Sequence, residues 1–117
     1  MTEVEGIERE STLPVVLVDD LGLVTYVNGP FTAAFGWSAA DLVGKALTTI
    51  IPDHLRDAHN LGFSRFLMTG QPTLLGRPLE LGVKTREGQV VAAEHTIFAE
   101  HRNGRWIFGA KIRPAGP

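Results

Sequence analysis

A chain of 117 residues with 44% apolar side chains has room for one domain and one core. Eleven Lys and Arg against thirteen Asp and Glu leave a net charge of −2, which advertises no basic surface and argues against nucleic acid as a direct partner. The absence of cysteine removes thiolate nucleophiles, disulfides, cysteine zinc sites, iron–sulfur clusters and covalently attached haem together.

Residues 1–12 form an acidic lead, with Glu3, Glu5, Glu8 and Glu10 around a single Arg9. It reads as a frayed flanking segment or as a short helix with Val4 and Ile7 on one stripe. Its acidity is unlike a signal peptide, and no apolar run in the chain is long enough to span a membrane, so a cytoplasmic protein is expected. The run Pro14 to Val18 and the segment Leu23 to Val27 flank Asp19-Asp20-Leu21-Gly22, which predicts a β-hairpin. Asn28 is placed to cap a short helix through Phe31 and Phe35 that stops at Gly36. Ser38 caps a second one, Ala39 to Val43, ending at Gly44.

Thr48 to Pro52 leads into a longer helix, Pro52 to Met68, closed by Gly70, Gln71 and Pro72. At 100° per residue this helix gathers Leu55, Gly62, Phe63 and Phe66 on one face with His59 near their centre. Three strands follow, roughly Arg77 to Lys84, Gln89 to Glu100 and Arg105 to Arg113. They are separated by Arg86-Glu87-Gly88 and Arg102-Asn103-Gly104, both hairpin turn chemistry. The expected architecture is α+β: a five-stranded antiparallel sheet with helices packed on one face, spanning residues 13–113 and leaving 114–117 as a tail.

Alternation assigns the strand faces. Val91, Ala93, His95 and Ile97 oppose a set containing Glu94, so His95 points inward; Leu79, Leu81 and Val83, and Trp106, Phe108, Ala110 and Ile112, join it. By the same parity Phe98 and Ile107 are expected on the exposed outer face. Two histidines, His59 from the helix and His95 from the sheet, thus enter one apolar interior. An imidazole there either satisfies itself on a backbone carbonyl or on the other ring, or serves a flat, largely apolar ligand, a description that haem meets. His54 falls off the apolar face and His101 sits beside a turn. General base catalysis by either inward histidine lacks an orienting acid, so an enzyme is not expected.

The series Asp19-Asp20-Leu21-Gly22, Tyr26-Val27-Asn28, Phe35-Gly36-Trp37-Ser38, Asp41-Leu42-Val43-Gly44-Lys45 and Gly109-Ala110-Lys111-Ile112-Arg113 resembles the PAS sensory domain. Ile51-Pro52 through His59, Arg65-Phe66, Thr69-Gly70, Pro72, Leu75-Gly76 and Arg86-Glu87-Gly88 is similar more particularly to the haem-binding PAS domain of FixL-type oxygen-sensor kinases. That resemblance implies haem b ligated by His59, wrapped by Leu55, Phe63, Phe66 and Leu74, with Arg65 near the propionates. Leu79, Ile97 and His95 would line the gas side, where His95 either ligates the iron or donates a hydrogen bond to a diatomic ligand. It implies a homodimer that senses a diatomic gas or redox state and relays the signal to an effector domain or partner protein, in cis or in trans. Three positions depart from the subgroup: Leu79 stands where it has an arginine that reaches the gas, Thr73 where it has a histidine at a propionate, and His95 where it keeps an apolar residue over the gas side. The alternative is a cofactor-free PAS module for dimerisation or protein–protein interaction.

Overall fold

The computed structural model describes residue 6, residues 9–60 and residues 78–115. Five strands form one antiparallel sheet, β1 (Val15–Asp19), β2 (Val24–Val27), β3 (Leu79–Lys84), β4 (Val90–Arg102) and β5 (Arg105–Pro114), in the spatial order β2-β1-β5-β4-β3. The helical middle of the chain connects one edge strand, β2, to the other, β3, so it must cross the whole sheet.

Local chemistry sets the element ends. The β1–β2 turn closes on Asp19, whose carboxylate accepts from the backbone N–H groups of Leu21 and Leu23 at 2.9 and 3.0 Å. Helix α1 (Gly29–Phe35) starts where the Asn28 side chain accepts from Phe31 N, and ends at Gly36, whose φ of +85° suits glycine. Helix α2 (Ala39–Leu42) carries a complete capping box between Ser38 and Asp41. It stops one residue earlier than expected, because Val43 is extended. A 3₁₀ turn, Leu47–Ile50, follows. The helix anticipated from Pro52 opens as a second 3₁₀ turn, Asp53–Leu55, before residues 56–60 become helical; its remainder to Met68 lies outside the described residues. The β4–β5 hairpin turns on Asn103 and Gly104, with φ of +54° and +78°, and both strands run slightly longer than the sequence suggests.

The core lies on the helix-covered face. Phe31, Phe35, Leu42 and Ile50 pack with Val16, Val18, Val24, Val27, Val83, Ala93, Ala110 and Ile112. Phe31 and Phe35 meet edge to face with ring centroids 5.0 Å apart. Two hydrogen bonds tie the far end of β3 to the helices: Trp37 Nε1 donates to the Lys84 carbonyl at 2.8 Å, and Arg86 N donates to the Phe35 carbonyl at 3.0 Å.

The outer face departs from the parity expectation. Val15 and Leu17 are 0% and 5% exposed, and Phe98 and Ile107 pack against them half-buried instead of standing exposed. Strand β1 sits inside the sheet and is apolar on both faces, so it does not alternate. The acidic lead is represented by Gly6, Arg9 and Glu10 among its first ten residues; Val4 and Ile7 lie outside the described residues.

Candidate functional site

Strand register assembles the inner wall. Leu79, His95 and Ile112 are direct partners across β3, β4 and β5, and Ile97 faces Ala110 in the adjacent row of β4 and β5. Such neighbours share one face of a pleated sheet. That face is the core face, since Ile112, Ala93 and Ala110 belong to the main cluster and Ile97 packs on it. His95 is 9% exposed there, one of two buried polar residues among those described, with Asn28 the other. Its Nδ1 lies 3.3 Å from the Ala93 carbonyl.

His59 belongs to the helical residues 56–60 and is half-buried. The approach to that helix is fixed against β3. A Cβ on Gly82 would come within 3.1 Å of Pro52 Cγ, so the glycine lets a fully buried proline abut the strand. Beyond Pro52, Asp53 pairs with Lys84 at 3.3 Å and with Arg56 at 3.2 Å, holding the first turn to the same strand. Leu55 is half-buried at the end of that turn. Burial pushes the pKa of both His59 and His95 below the ordinary imidazole value, because desolvation penalises the cation; in His95 the Ala93 contact opposes this. Neutral imidazole is the protonation state that a metal needs.

Of the residues expected at the site, the structure therefore places His95, Leu79 and Ile97 on one wall, and His59 and Leu55 on the segment that leaves β3 at Pro52. Phe63, Arg65, Phe66 and Leu74 lie outside the described residues, as does Thr73. The chemistry of the donor set is compatible with haem: imidazole nitrogen for iron and aliphatic side chains for the porphyrin face, with no carboxylate among the described residues of the inner wall. Among the described residues no group of three or more His, Asp or Glu forms a cluster of the kind that holds a bare metal ion. Two depressions, of about 170 and 370 Å³, lie elsewhere. One is lined by Leu13, Glu94, Thr96, Lys111 and Arg113, and the other includes Leu17, Arg105 and Ile107.

Sequence reasoning missed the second role of Asn28. Beyond capping α1, its amide donates to the carbonyls of Glu10 and Leu13 at 3.2 and 2.9 Å, and its Oδ1 also accepts from Val15 N at 3.0 Å. Glu10 in turn accepts from Thr12 and Leu13 N–H and stands 3.9 Å from Lys111 Nζ, contacts that hold its carboxyl below the usual range. The N-terminal segment is thereby tied to β5, next to Ile112, the partner of His95. A buried asparagine signals such a hub, but its partners are fixed by the tertiary path.

A sequence model of the PAS fold matches residues 2–104. An uncharacterized protein of Azorhizobium caulinodans is 34% identical over 100 residues, covering 85% of this chain and 14% of that protein. Sensor protein FixL of Bradyrhizobium diazoefficiens is 23% identical over 104 residues, covering 87% of this chain and 21% of FixL. The chain thus spans about a fifth or less of these relatives. Among solved structures, the PAS domain of a Desulfitobacterium hafniense protein superposes with a TM-score of 0.72 at 14% identity, covering 94% of this chain and 99% of that one, a likeness of fold.

Proposed function

The chain belongs to the PAS family, and on that premise we propose that this sensory domain holds haem b through His59 and responds to a diatomic gas or to redox state. Two observations support the proposal: a half-buried imidazole on the helix, which burial pushes toward the neutral form, and a buried histidine, His95, on an otherwise apolar wall of the sheet. Similarity to FixL over 87% of this chain supports the same reading.

In this reading the chain's residues divide the work. His59 would hold the iron through a ring nitrogen, and its burial favours the neutral ring that this requires. The resemblance assigns Leu55, Phe63, Phe66 and Leu74 to keeping water from the haem, and Arg65 to meeting a propionate, roles they would take with haem bound. Leu79, Ile97 and His95 form the wall that selects what enters. Haem supplies an iron that takes a diatomic ligand or changes oxidation state. Such a ligand shifts the domain between arrangements only by its difference in affinity for them. A displacement at His95 reaches Ile112 by direct pairing, then Lys111, then the Glu10 segment that Asn28 clasps. That segment is the route toward an effector in cis or in trans.

The test is haem titration of the purified chain. Wild type is expected to take up haem at one per chain and His59→Ala to take up none, whereas His95→Ala keeps its haem. Full haem content in the His59 variant would refute the assignment. A cofactor-free interaction module is the competing reading, but packing of Phe98 and Ile107 against Val15 and Leu17 leaves it less bare apolar surface than parity suggests. No helix among the described residues is long and apolar enough to cross a membrane.

A further inference from the structure

The dipeptide Asn-Gly occurs twice in the chain, as Asn28-Gly29 and as Asn103-Gly104. A carboxamide in this setting is open to attack by its own main chain, because the glycine that follows has no side chain to shield its nitrogen. The remaining asparagine, Asn60, precedes Leu61, whose branched side chain does shield it. The fold then puts the two Asn-Gly pairs in opposite conditions.

Asn28 is 7% exposed. Its Oδ1 accepts from Val15 N and Phe31 N, and its amide nitrogen donates to the carbonyls of Glu10 and Leu13. Turning its Cγ toward the Gly29 nitrogen breaks these four bonds beside a Val15 that no water reaches. Asn103 stands at the tip of the β4–β5 hairpin, with Arg102 and Arg105 paired directly behind it, and both Asn103 and Gly104 are exposed. Its φ of +54° is the one positive value at a non-glycine residue among those described, a conformation that asparagine tolerates and a two-residue turn demands. Ring closure requires that turn to open, and a solvent-bounded hairpin tip opens more readily than an interior residue.

We infer that Asn103 is a site of spontaneous deamidation in the folded chain, and that Asn28 is protected from the same reaction. The Gly104 main-chain nitrogen gives its proton to the solvent and attacks Asn103 Cγ; the new bond forms as the bond from Cγ to Nδ2 breaks, and ammonia leaves. Water then adds to either carbonyl carbon of the cyclic imide and breaks the bond from that carbon to the nitrogen. Opening at Cγ yields aspartate, and opening at the main-chain carbon yields isoaspartate. In sum one water is consumed and one ammonia released, with no change of oxidation state; the new carboxyl gives its proton to the ammonia. Either product adds a negative charge to the chain's −2. Aspartate keeps the turn, since Asp-Gly suits it as well. Isoaspartate lengthens the main chain by a carbon atom between Arg102 and Arg105, so their direct pairing is lost and the end of the longest hairpin frays. The inference does not depend on what the domain binds.

The test incubates the whole purified chain at mildly alkaline pH, folded and in urea. Both Asn-Gly sites are followed by peptide mass mapping, with isoaspartyl methyltransferase labelling to count the rearranged product. In the folded chain, conversion at Asn103 is expected to exceed that at Asn28 by at least about a hundredfold, because reaction at Asn28 waits for its four bonds to open together. In urea the two sites are expected to react at similar rates. A more acidic species is expected to accumulate on ion exchange from folded wild type and not from Asn103→Gln, whose longer side chain closes the larger ring far more slowly. A folded chain in which Asn28 reacts as fast as Asn103 overturns the inference. So does one in which Asn103 is as slow as Asn28 until urea releases both. Both comparisons are made within wild type, so neither depends on how a variant folds.

Discussion

Replacing Asn28 with alanine removes four hydrogen bonds through one buried side chain, and their separate costs can be worked out from the structure. Asn28 is 7% exposed; its Oδ1 accepts from Val15 N and Phe31 N, both at 3.0 Å, and its amide donates to the carbonyls of Glu10 and Leu13. Val15 is 0% exposed, so its N–H would find no water in exchange, a loss of about 1–3 kcal/mol. Loss of the helix cap at Phe31 adds about 1 kcal/mol. The two carbonyls are less buried and add about 0.5 kcal/mol each. The expected destabilisation is therefore about 3–5 kcal/mol, a large share of the 5–15 kcal/mol typical of a domain. Urea denaturation of wild type and variant, read at one protein concentration, measures it. Asn28→Asp separates the halves: it keeps both acceptor bonds but sets a carboxylate against the Glu10 and Leu13 carbonyls, so it should fall between the two. A loss below about 1 kcal/mol in the alanine variant, well short of the summed terms, would refute the idea that Asn28 clasps the N-terminal segment. So would an aspartate variant as stable as wild type.

Two further expectations follow from packing and from charge. A Cβ at Gly82 would meet Val90 Cγ1 at 2.7 Å and Pro52 Cγ at 3.1 Å. Val90 is exposed and can turn away but Pro52 is buried, so Gly82→Ala should destabilise by about 1–2 kcal/mol. Adding Val90→Ala should recover part of the loss, and a Gly82→Ala protein at least as stable as wild type in urea would contradict the contact. In haem-free protein, His59 and His95 have native pKa values lowered from 6.5. Below that value the unfolded chain binds protons that the native chain refuses, so stability is fully present above about pH 6.5 and falls as the pH drops toward the native pKa values. His95→Leu should flatten this limb between about pH 7 and 5.5, and a wild-type urea midpoint that rises over the same interval would show the sign to be wrong.

What the sequence makes legible is what local rules govern. Asn28, Ser38 and Gly36 mark their helix ends because capping needs only a side chain and the next few backbone groups, and all three act as caps in the structure. The inward direction of His95 follows from Glu94 beside it, since a carboxylate must stay wet; Glu94 is exposed and His95 buried. Strand β1 shows where alternation fails. Val15 to Val18 has no polar position, and a run of that kind belongs to a strand covered on both faces, whatever its neighbours suggest about an open outer surface. The hydrogen bond from Trp37 to Lys84, 47 residues apart, depends on the chain crossing the sheet and has no local signature.

The same division runs through the candidate site. Residue type and parity bring an imidazole to the inner wall, and they leave open whether it would donate to a gas or bind the metal, because both roles need His at that position. What separates them is which ring nitrogen carries the proton, and that is set by a backbone carbonyl two residues back on the same strand. Leu79 works in the same direction. An arginine there would place a donor directly across from His95, whereas leucine leaves the opposing position apolar. With haem bound as proposed, dioxygen would gain from a donor and carbon monoxide much less, so leucine in place of a donor would weaken a dioxygen complex more than a carbon monoxide one.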